Sequence, residues 1–460
     1  MRVLAIDLGA SSVRLFVIRL EEKLLLKEIS RFETPVITEN GYLRWDFPRI
    51  LSSIKPSLEN TKTISSIGID AWGVDFGLVD ENGELVANPI SYRDHSHRIG
   101  ADELKNRLSP EKHYSLTGIQ PLPFNTAAQL LARKLRNDTE IERAHSFLLI
   151  PDLVASYLGD EKKIPTCEIT NASTTQLLGL NGKWCEDAVK ASRLDSIFLP
   201  KIAFPGTLFG SINKIPIIRV ASHDTASAVF AIPSKITNAV YISSGTWSLV
   251  GTLIRNPMAT LDALEAGFTH ERAYDGSFRF LKNVMGLWLL QRSQGKLSHK
   301  ECIRLAESAP PWGPRFDVNH PSLLNPVDMP SAIRSIADSP IENTAVLFRA
   351  IFENLAKEYA QTIEKLRKIT SVPIESIHIV GGGSQNTLLN RMTSDATGLP
   401  VYAGPIEATA IGNALVQLLY HGKITEDEKE SLIRKSFPIQ LYEPKNTEKW
   451  REWAAKTHFH

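Results

Sequence analysis

The chain has 460 residues, 43% of them hydrophobic, and its 52 Lys and Arg against 51 Asp and Glu give a formal net charge of +1. This length is two to three times the usual domain of about 100–200 residues, so two large domains are predicted. A net charge near zero gives no basic field for nucleic acid or an anionic membrane, so we expect a small-molecule partner.

Cysteine usage and hydrophobic runs indicate the compartment. Cys167, Cys185 and Cys302 are odd in number and match neither a disulfide framework nor a zinc site, which favours a reducing compartment without a structural metal. The first apolar run is broken by Asp7 and Arg14, unlike a signal peptide, and no run reaches the ~18–20 apolar residues of a membrane helix. We expect a soluble, cytoplasmic protein, with monomer or homodimer left open.

The N-terminal part of the chain predicts a mixture of antiparallel strands and helices. Residues 2–18 form two apolar runs around a turn at Gly9, and "KLLLKEISRFE" adds a third strand. Between residues 64 and 90 we expect a buried strand, a bend at Trp72-Gly73 and a hairpin at Asn82-Gly83. The segments "FNTAAQLLARKL" and "LLIPDLVASYL" have helical periodicity.

The same strand-turn-strand pattern returns about 236 residues later. "NAVYISSGTWSLVGTLI" matches "VLAIDLGASSVRLFVI", with residues 243–246 in the place of residues 7–10. A long amphipathic helix, the strand "SIHIVGGG" and two further helices follow. A duplication of this period predicts two similar α/β domains, over residues 1–235 and 236–460.

Both turns have the composition of a phosphate site. Glycine lets the backbone approach an anion, and successive N–H groups with Ser or Thr hydroxyls supply donors. Either turn alone could equally be an ordinary hairpin, but the pair favours a nucleoside triphosphate. Asp7 would repel polyphosphate unless a hard cation such as Mg²⁺ lies between them, so we expect Asp7 on the metal side.

A third glycine-rich segment, "IVGGGSQNTLLN", ends a buried strand and precedes a helix. Its consecutive glycines would let a ring or a phosphate lie against the backbone near a helix N-terminus. The motif is neither a Walker loop nor a Rossmann fingerprint, and by itself it is weak evidence.

The stretch "IRVASHDTASAVFAI" contains the candidate catalytic residue. Asp224 follows an apolar strand and precedes a helix of small residues, so it is either a helix N-cap or a base that accepts a proton from a substrate hydroxyl. Upstream, Asp70 and Asp75 alternate with apolar residues in a strand, where burial without partners would be costly. We interpret them as polar groups that line a sugar site, whereas Trp72 is either core or part of that site.

Together these segments resemble the FGGY carbohydrate kinases, which share the sugar kinase, actin and Hsp70 fold. The resemblance runs from "AIDLGASS" through "GIDAWGVDFG", "SHDTASAV", "YISSGTWSLVG" and "KNVMGLWLLQ" to "GPIEATAIGNALVQ". It is closest to the branch that phosphorylates L-rhamnulose. It implies two duplicated actin-like (ribonuclease H-like) α/β domains with an interdomain cleft, and transfer of the γ-phosphoryl group of Mg²⁺-ATP to the 1-hydroxyl of that ketose.

The resemblance also implies roles for individual residues. Asp224 matches the general base, and Asp7 is expected to hold the metal. The residues matching ketose contacts are Gly73, His223, Asp224, Thr225 and Asn283. The residues matching nucleotide contacts are Ala10, Ser11, Ser12, Val13, Arg14, Thr246, Gln291 and Gly383.

One position departs from the family pattern. The family usually has "ASSGR" where this chain has "ASSVR". Because valine disfavours positive φ, Val13 must have ordinary β geometry, and altered ATP affinity is expected rather than lost function.

Three other functions compete with this interpretation. A relative specific for L-fuculose or L-xylulose would share Asp7, Asp224 and the loops. An actin- or Hsp70-like ATPase would leave "WGVDFG", "HDT" and "KN" unexplained, and a degenerate sugar sensor would not need to retain both acids.

Overall fold

The structure is a computed structural model that describes residues 1–59, 63–160, 165–195, 198–233 and 238–455. Strands and helices alternate along both halves of the chain, so the predicted α/β class is confirmed. None of the helices in these ranges is both long and apolar enough to cross a membrane.

The first half of the chain begins with an antiparallel meander of three strands, and it contains twelve of the described strands and nine of the described α-helices. Its strands are β1 (Arg2–Leu8), β2 (Ser12–Leu20), β3 (Leu24–Glu33), β4 (Val36–Glu39), β5 (Tyr42–Trp45), β6 (Ser66–Ala71), β7 (Phe76–Val79), β8 (Ser146–Leu149), β9 (Thr166–Glu168), β10 (Lys201–Ala203), β11 (Leu208–Ile212) and β12 (Ile215–Ile218). Its helices are α1 (Phe47–Leu58), α2 (Arg98–Arg107), α3 (Pro110–Thr117), α4 (Thr126–Leu135), α5 (Thr139–Arg143), α6 (Ile150–Leu158), α7 (Ile169–Ala172), α8 (Glu186–Ala191) and α9 (Asp224–Phe230).

The second half opens with the predicted repeat of strand, turn and strand. Its strands are β13 (Ala239–Ser244), β14 (Trp247–Ile254), β15 (Thr269–Arg272), β16 (Phe278–Met285), β17 (Ser376–Val380), β18 (Val401–Ala403) and β19 (Gln440–Tyr442). Its helices are α10 (Leu261–Glu265), α11 (Trp288–Gln291), α12 (His299–Ser308), α13 (Met329–Ile336), α14 (Thr344–Thr370), α15 (Thr387–Thr397), α16 (Ala408–Tyr420), α17 (Glu426–Ser436) and α18 (Thr447–Ala455).

The central strands of the two large sheets have the same arrangement, which confirms the duplication. In the first sheet the order is β11-β12-β6-β1-β2-β3, and the second sheet repeats this arrangement as β19-β18-β17-β13-β14-β16 with a seventh strand, β15, beyond β16. In both, the first hairpin is antiparallel, its first strand pairs in parallel with the next central strand, and that strand pairs in parallel with its outer neighbour.

Helices cover both faces of the first sheet. Leu4, Ile6 and Leu8 of β1 pack in one core with apolar residues of α1 and α6. The opposite face meets α16, where Gln417 Nε2 donates to the Leu4 carbonyl (3.0 Å). Gly68 of β6 permits this approach, because an added Cβ would lie 2.2 Å from Asn413 Oδ1. The helix lies directly over the face of the sheet that carries Asp70.

The chain divides into two compact units, and each unit is built from three separate segments of the chain. The first comprises residues 1–233, 253–280 and 408–436, and the second the described residues of 234–252, 281–407 and 437–460. The boundary expected between residues 235 and 236 lies outside the described residues. Segments 253–280 and 408–436 of the second half therefore complete the first unit.

One local expectation is only partly correct. The Asn82-Gly83 turn forms, with Gly83 at φ 76° and the Asp80 carboxylate accepting hydrogen bonds from the backbone N–H groups of Asn82 and Glu84. After the turn, however, a single bridge from Val79 to Leu85 replaces a second strand, and β7 pairs with β8 instead. Pairing with a strand distant in sequence prevails over the local hairpin.

Candidate active site

Three ionisable residues form a row across the first sheet. In the backbone register, Asp7 of β1 is opposite Arg14 of β2 on one side and Asp70 of β6 on the other. The Arg14 guanidinium forms an ion pair with Asp7 (Nη2 to Oδ2, 2.6 Å), and the Asp7 side chain is 1% exposed. The row lies near the ends of the central strands, as the position of Asp7 beside the Gly9 turn predicts.

Asp70 is more deeply buried than a surface-lining acid. Its Oδ2 accepts a hydrogen bond from Asn413 Nδ2 of α16 (2.6 Å), while Oδ1 has no hydrogen-bond partner among the described residues. Burial and the neighbouring Asp7 charge raise the pKa of Asp70. The first unit therefore keeps two carboxyl groups side by side, only one of which is ion-paired with arginine.

The glycine turns are tight in both repeats. Gly9 N donates to Ser12 O (3.0 Å), and Gly245 N donates to Trp247 O (2.9 Å). A Cβ at Gly9 would lie 2.9 Å from Ser12 O, so the close turn itself requires glycine.

The predicted nucleotide contacts in the Gly9 turn and the start of β2 differ in exposure. Ser11 is exposed, whereas Ala10, Ser12 and Arg14 are partly buried. Val13 has regular β pairing, as expected, and its side chain is fully buried in the core. Only the backbone of Val13 is therefore available to a ligand.

Asp224 is not a helix N-cap. His223 occupies that position, and Asp224 is the first helical residue of α9. Its Oδ1 accepts hydrogen bonds from Thr225 N (2.6 Å) and Thr225 Oγ1 (3.1 Å), and it lies 3.4 Å from His223 Nε2. Among the described residues no hydrogen bond is made to Oδ2, and the side chain is 27% exposed. One carboxylate oxygen is thus held and the other is open.

A buried acid from a distant segment holds the turn before Asp224. Glu168 Oε2 accepts hydrogen bonds from Ser222 N (3.0 Å) and Ser222 Oγ (2.8 Å). Thr170 Oγ1 accepts one from His223 N (3.1 Å), and Asn171 Nδ2 donates to the Ser222 carbonyl. The backbone entering α9 is therefore bonded on several sides.

The interpretation of Asp75 as a sugar-lining residue is not supported by its contacts. Asp75 is fully buried and accepts hydrogen bonds from Trp45 Nε1 (2.7 Å), Trp72 Nε1 (3.0 Å), Tyr92 N (3.1 Å) and Gln129 Nε2 (3.0 Å). Burial raises its pKa to about 6, although the donors oppose the shift. Its four donors make Asp75 a structural centre, with Trp72 in the surrounding core.

Gly73 lies at the predicted bend and is tightly packed. An added Cβ would lie 2.9 Å from Thr174 Oγ1, which also accepts a hydrogen bond from Val74 N (3.0 Å). Val74 adopts φ 68°, so the bend is strained at the residue after the glycine.

Glu271 and Arg279 are two further functional candidates that no sequence pattern indicates. Glu271 Oε2 lies 3.2 Å from His223 Nδ1 and 2.8 Å from Arg279 Nη2. Burial opposes ionisation, but Arg279 and His223 outweigh it and lower the pKa of Glu271 to about 2. These residues lie on β15 and β16, nearly fifty residues or more after His223, and no local motif links them to it.

The second unit holds the remaining predicted contacts. Thr246 Oγ1 donates to Gln291 Oε1 (3.3 Å), and the Thr246 carbonyl accepts from Trp288 N (3.1 Å), so the turn and α11 are joined. A Cβ at Gly383 would lie 1.9 Å from Ser244 Oγ, which requires glycine for packing. Asn283 is exposed on β16.

No group of three or more His, Cys, Asp or Glu side chains with metal-binding geometry occurs among the described residues. Mg²⁺ usually takes only one or two protein carboxylates and keeps several waters. The pair of Asp7 and Asp70, with one buried Asp70 oxygen that has no hydrogen-bond partner among the described residues, fits such a cation.

A pH-dependent stability follows from Asp152, which accepts a hydrogen bond from Glu168 N (3.1 Å). Burial raises its pKa to about 7 from an ordinary 3.8. The stability this acid contributes is complete below pH 4 and is lost as pH rises to about 7, because the unfolded chain releases the proton first. Asp152→Asn should therefore gain stability relative to the parent over that interval, by on the order of 1 kcal/mol or more.

Thermal unfolding of both proteins between pH 4 and 8.5 measures this effect. Asp80→Asn, which changes an acid in an exposed turn, serves as the control. A difference in Tm between Asp152→Asn and the parent that stays constant with pH would contradict the elevated pKa.

Comparison with known proteins agrees with this architecture. The model of the N-terminal domain of the FGGY family of carbohydrate kinases matches residues 2–230, and the C-terminal domain model matches residues 240–420. The chain is 38% identical to a rhamnulokinase of Bacteroides thetaiotaomicron over 99% of this chain and 98% of that protein. It is also 38% identical to a rhamnulokinase of Bacillus subtilis, over 97% and 96%.

Solved structures share the fold at lower identity. A ligand-bound xylulose kinase from Lactobacillus acidophilus superposes with a TM-score of 0.80 at 15% identity, over 98% of this chain and 96% of that one. Plasmodium falciparum glycerol kinase with ADP superposes with a TM-score of 0.78 at 17% identity, over 98% of this chain and 96% of that one. From the two domain matches and the near-complete coverage by its relatives, the chain belongs to the FGGY family of carbohydrate kinases.

Proposed function

We propose that this protein transfers the γ-phosphoryl group of ATP to the 1-hydroxyl of L-rhamnulose. The family supplies the reaction class, and the name shared by the relatives at 38% identity supplies the sugar. The observation that carries the chemistry is the Asp224 carboxylate, because one of its oxygens is held by neighbouring donors and the other is open.

In this proposal Asp224 is the general base. Oδ1 is occupied by Thr225, so Oδ2 accepts the proton of the sugar hydroxyl as that oxygen attacks the γ-phosphorus. The new oxygen–phosphorus bond forms as the bond to the ADP oxygen breaks, and the proton remains on Asp224 until it leaves to water.

The remaining residues divide between the two substrates. We assign the ketose to Gly73, His223, Thr225 and Asn283. Thr174 lies close to Gly73, and Glu271 and Arg279 contact His223, so both residues have fixed positions, as a binding site requires. The nucleotide is assigned to the backbone of residues 10–13, with Arg14, Thr246, Gln291 and Gly383.

Asp7 is the residue that we assign to Mg²⁺, with Asp70 beside it. The ion would offset the charge on the phosphoryl group during transfer. The 2.6 Å ion pair with Arg14 orients the Asp7 carboxylate.

We further propose that the protein works in the cytoplasm, as a monomer or homodimer. Cys167, Cys185 and Cys302 are all free thiols, which suits a reducing compartment.

The sugar is tested by ADP release from Mg²⁺-ATP over a panel of ketoses. We expect turnover that depends on added sugar, with L-rhamnulose preferred over L-fuculose and L-xylulose. Preference for one of the latter would overturn the sugar and leave the reaction class intact. ADP release that is equally fast without sugar would instead indicate an ATPase.

Asp224→Asn should lose sugar-dependent turnover by about 10²–10⁴, the usual contribution of a positioned base. Asparagine keeps the shape and can still accept from Thr225, so Tm and ligand affinity should barely change. Steady-state kinetics with calorimetry of sugar binding measures both effects. A fully active and stable variant would remove Asp224 from the mechanism.

Asp7→Ala should raise the Mg²⁺ concentration needed for half-maximal turnover on the order of 10-fold to 100-fold. Sugar affinity without nucleotide should stay close to that of the parent, because Asp7 is assigned to the metal side. Asp80→Ala is the control for loss of an acid elsewhere in the first unit. An equal loss of sugar affinity, measured by calorimetry, would show that the assignment is wrong.

A further inference from the structure

The ring of His223 contacts a buried arginine, Arg279. Arg279 Nη2 lies 2.8 Å from His223 Nδ1, and the Arg279 side chain is fully buried. Arg279 Nε also donates to the Arg272 carbonyl (3.1 Å), which fixes the guanidinium between β15 and β16. His223 is 7% exposed, so its ring has little freedom to turn away.

This contact determines which ring nitrogen carries the proton. Guanidinium has five donors and no acceptor, and it stays protonated in proteins. Nδ1 must therefore accept the hydrogen bond from Arg279, which leaves the proton of the neutral ring on Nε2. That nitrogen lies 3.4 Å from Asp224 Oδ1.

The opposite arrangement is disfavoured by charge. If Nδ1 instead carried the hydrogen and donated it in a hydrogen bond to Glu271, that N–H would lie beside the Arg279 cation. Glu271 Oε2 is farther from Nδ1 (3.2 Å) than from Arg279 Nη2 (2.8 Å), so its charge is directed mainly at the arginine. The charged groups facing the ring are thus Arg279, Glu271 and Asp224.

We propose that Arg279 and Glu271 are positioning residues that fix His223 in the Nε2–H tautomer. Arg279 donates to Nδ1, and Glu271 neutralises Arg279 and holds it in place. His223 then presents a hydrogen toward Asp224 Oδ1, joining the two donors of Thr225. In the other tautomer a lone pair would face the carboxylate and turn it from its position.

The consequence for catalysis rests on the proposed role of Asp224, but the tautomer itself does not. The two hydrogen bonds from Thr225 occupy Oδ1, with the His223 Nε2–H 3.4 Å away, and they leave Oδ2 as the oxygen that accepts the substrate proton. A change of tautomer should therefore lower kcat more than it raises KM for the sugar.

Nitrogen-15 NMR of the ring of His223 tests the tautomer without substrate. We expect a protonated Nε2 and an unprotonated Nδ1 in the parent protein at neutral pH, with the signals assigned by their loss in His223→Gln. A protonated Nδ1 in the parent would overturn the proposal whatever the activity of the enzyme.

Arg279→Met should move the ring proton to Nδ1, toward Glu271, and lower kcat about 10-fold to 100-fold. In the double variant Glu271→Gln/Arg279→Met, the new amide can donate to Nδ1, so the Nε2–H tautomer and much of the turnover should return. Arg133→Met, which breaks another buried ion pair of the first unit with Asp138, is the control for general destabilisation.

An Arg279→Met protein that keeps the Nε2–H tautomer would overturn the role of Arg279. If the tautomer shifts and returns as expected while Asp224→Asn stays fully active, the positioning stands and the proposed function of Asp224 fails. The two conclusions are therefore tested separately.

Discussion

The candidate site depends on the buried carboxylate of Glu168. The segment between β12 and α9 places Asp224 at the start of α9, and the buried backbone N–H groups of that segment would otherwise lack partners. Glu168 accepts from both the N–H and the hydroxyl of Ser222, and Thr170 accepts from the next N–H. Burial raises the pKa of Glu168 even with these donors present. The buried Glu168 carboxylate thus fixes the segment before Asp224 through hydrogen bonds that water does not reach.

Close helix packing transmits this rigidity to α9 itself. Gly412 of α16 lies against α9 so closely that a Cβ would be 1.8 Å from the Ser227 carbonyl. One residue farther along α16, Asn413 donates to Asp70, and Gln417 reaches Ser66 and β1. A single helix from the C-terminal part of the chain therefore supports both the row of acids and the helix that begins with Asp224.

Local patterns in the sequence are sufficient for the repeated hairpins and the long helices, because each depends on neighbours a few residues apart, and the duplication follows because the same local pattern occurs twice. The position of Asp7 beside the Gly9 turn was found in the same way. Glu271, Arg279 and Asn413 were not, since strand pairing and helix packing bring them from distant segments and their own surroundings carry no motif. Asp75 was misinterpreted because alternation predicts which face it occupies but not that two tryptophans would donate to it.

Neighbours rather than burial determine what each buried acid can do. Asp75 and Glu168 have several donors each, so their charge is used to organise the surrounding backbone and side chains. Glu271 is strongly ionised because a buried arginine faces it. Asp70 has one donor and an acidic neighbour, and the free energy of ionising it is correspondingly unfavourable. Such a group is costly to ionise without a cation nearby, which is why we propose the Mg²⁺ beside Asp7 and Asp70.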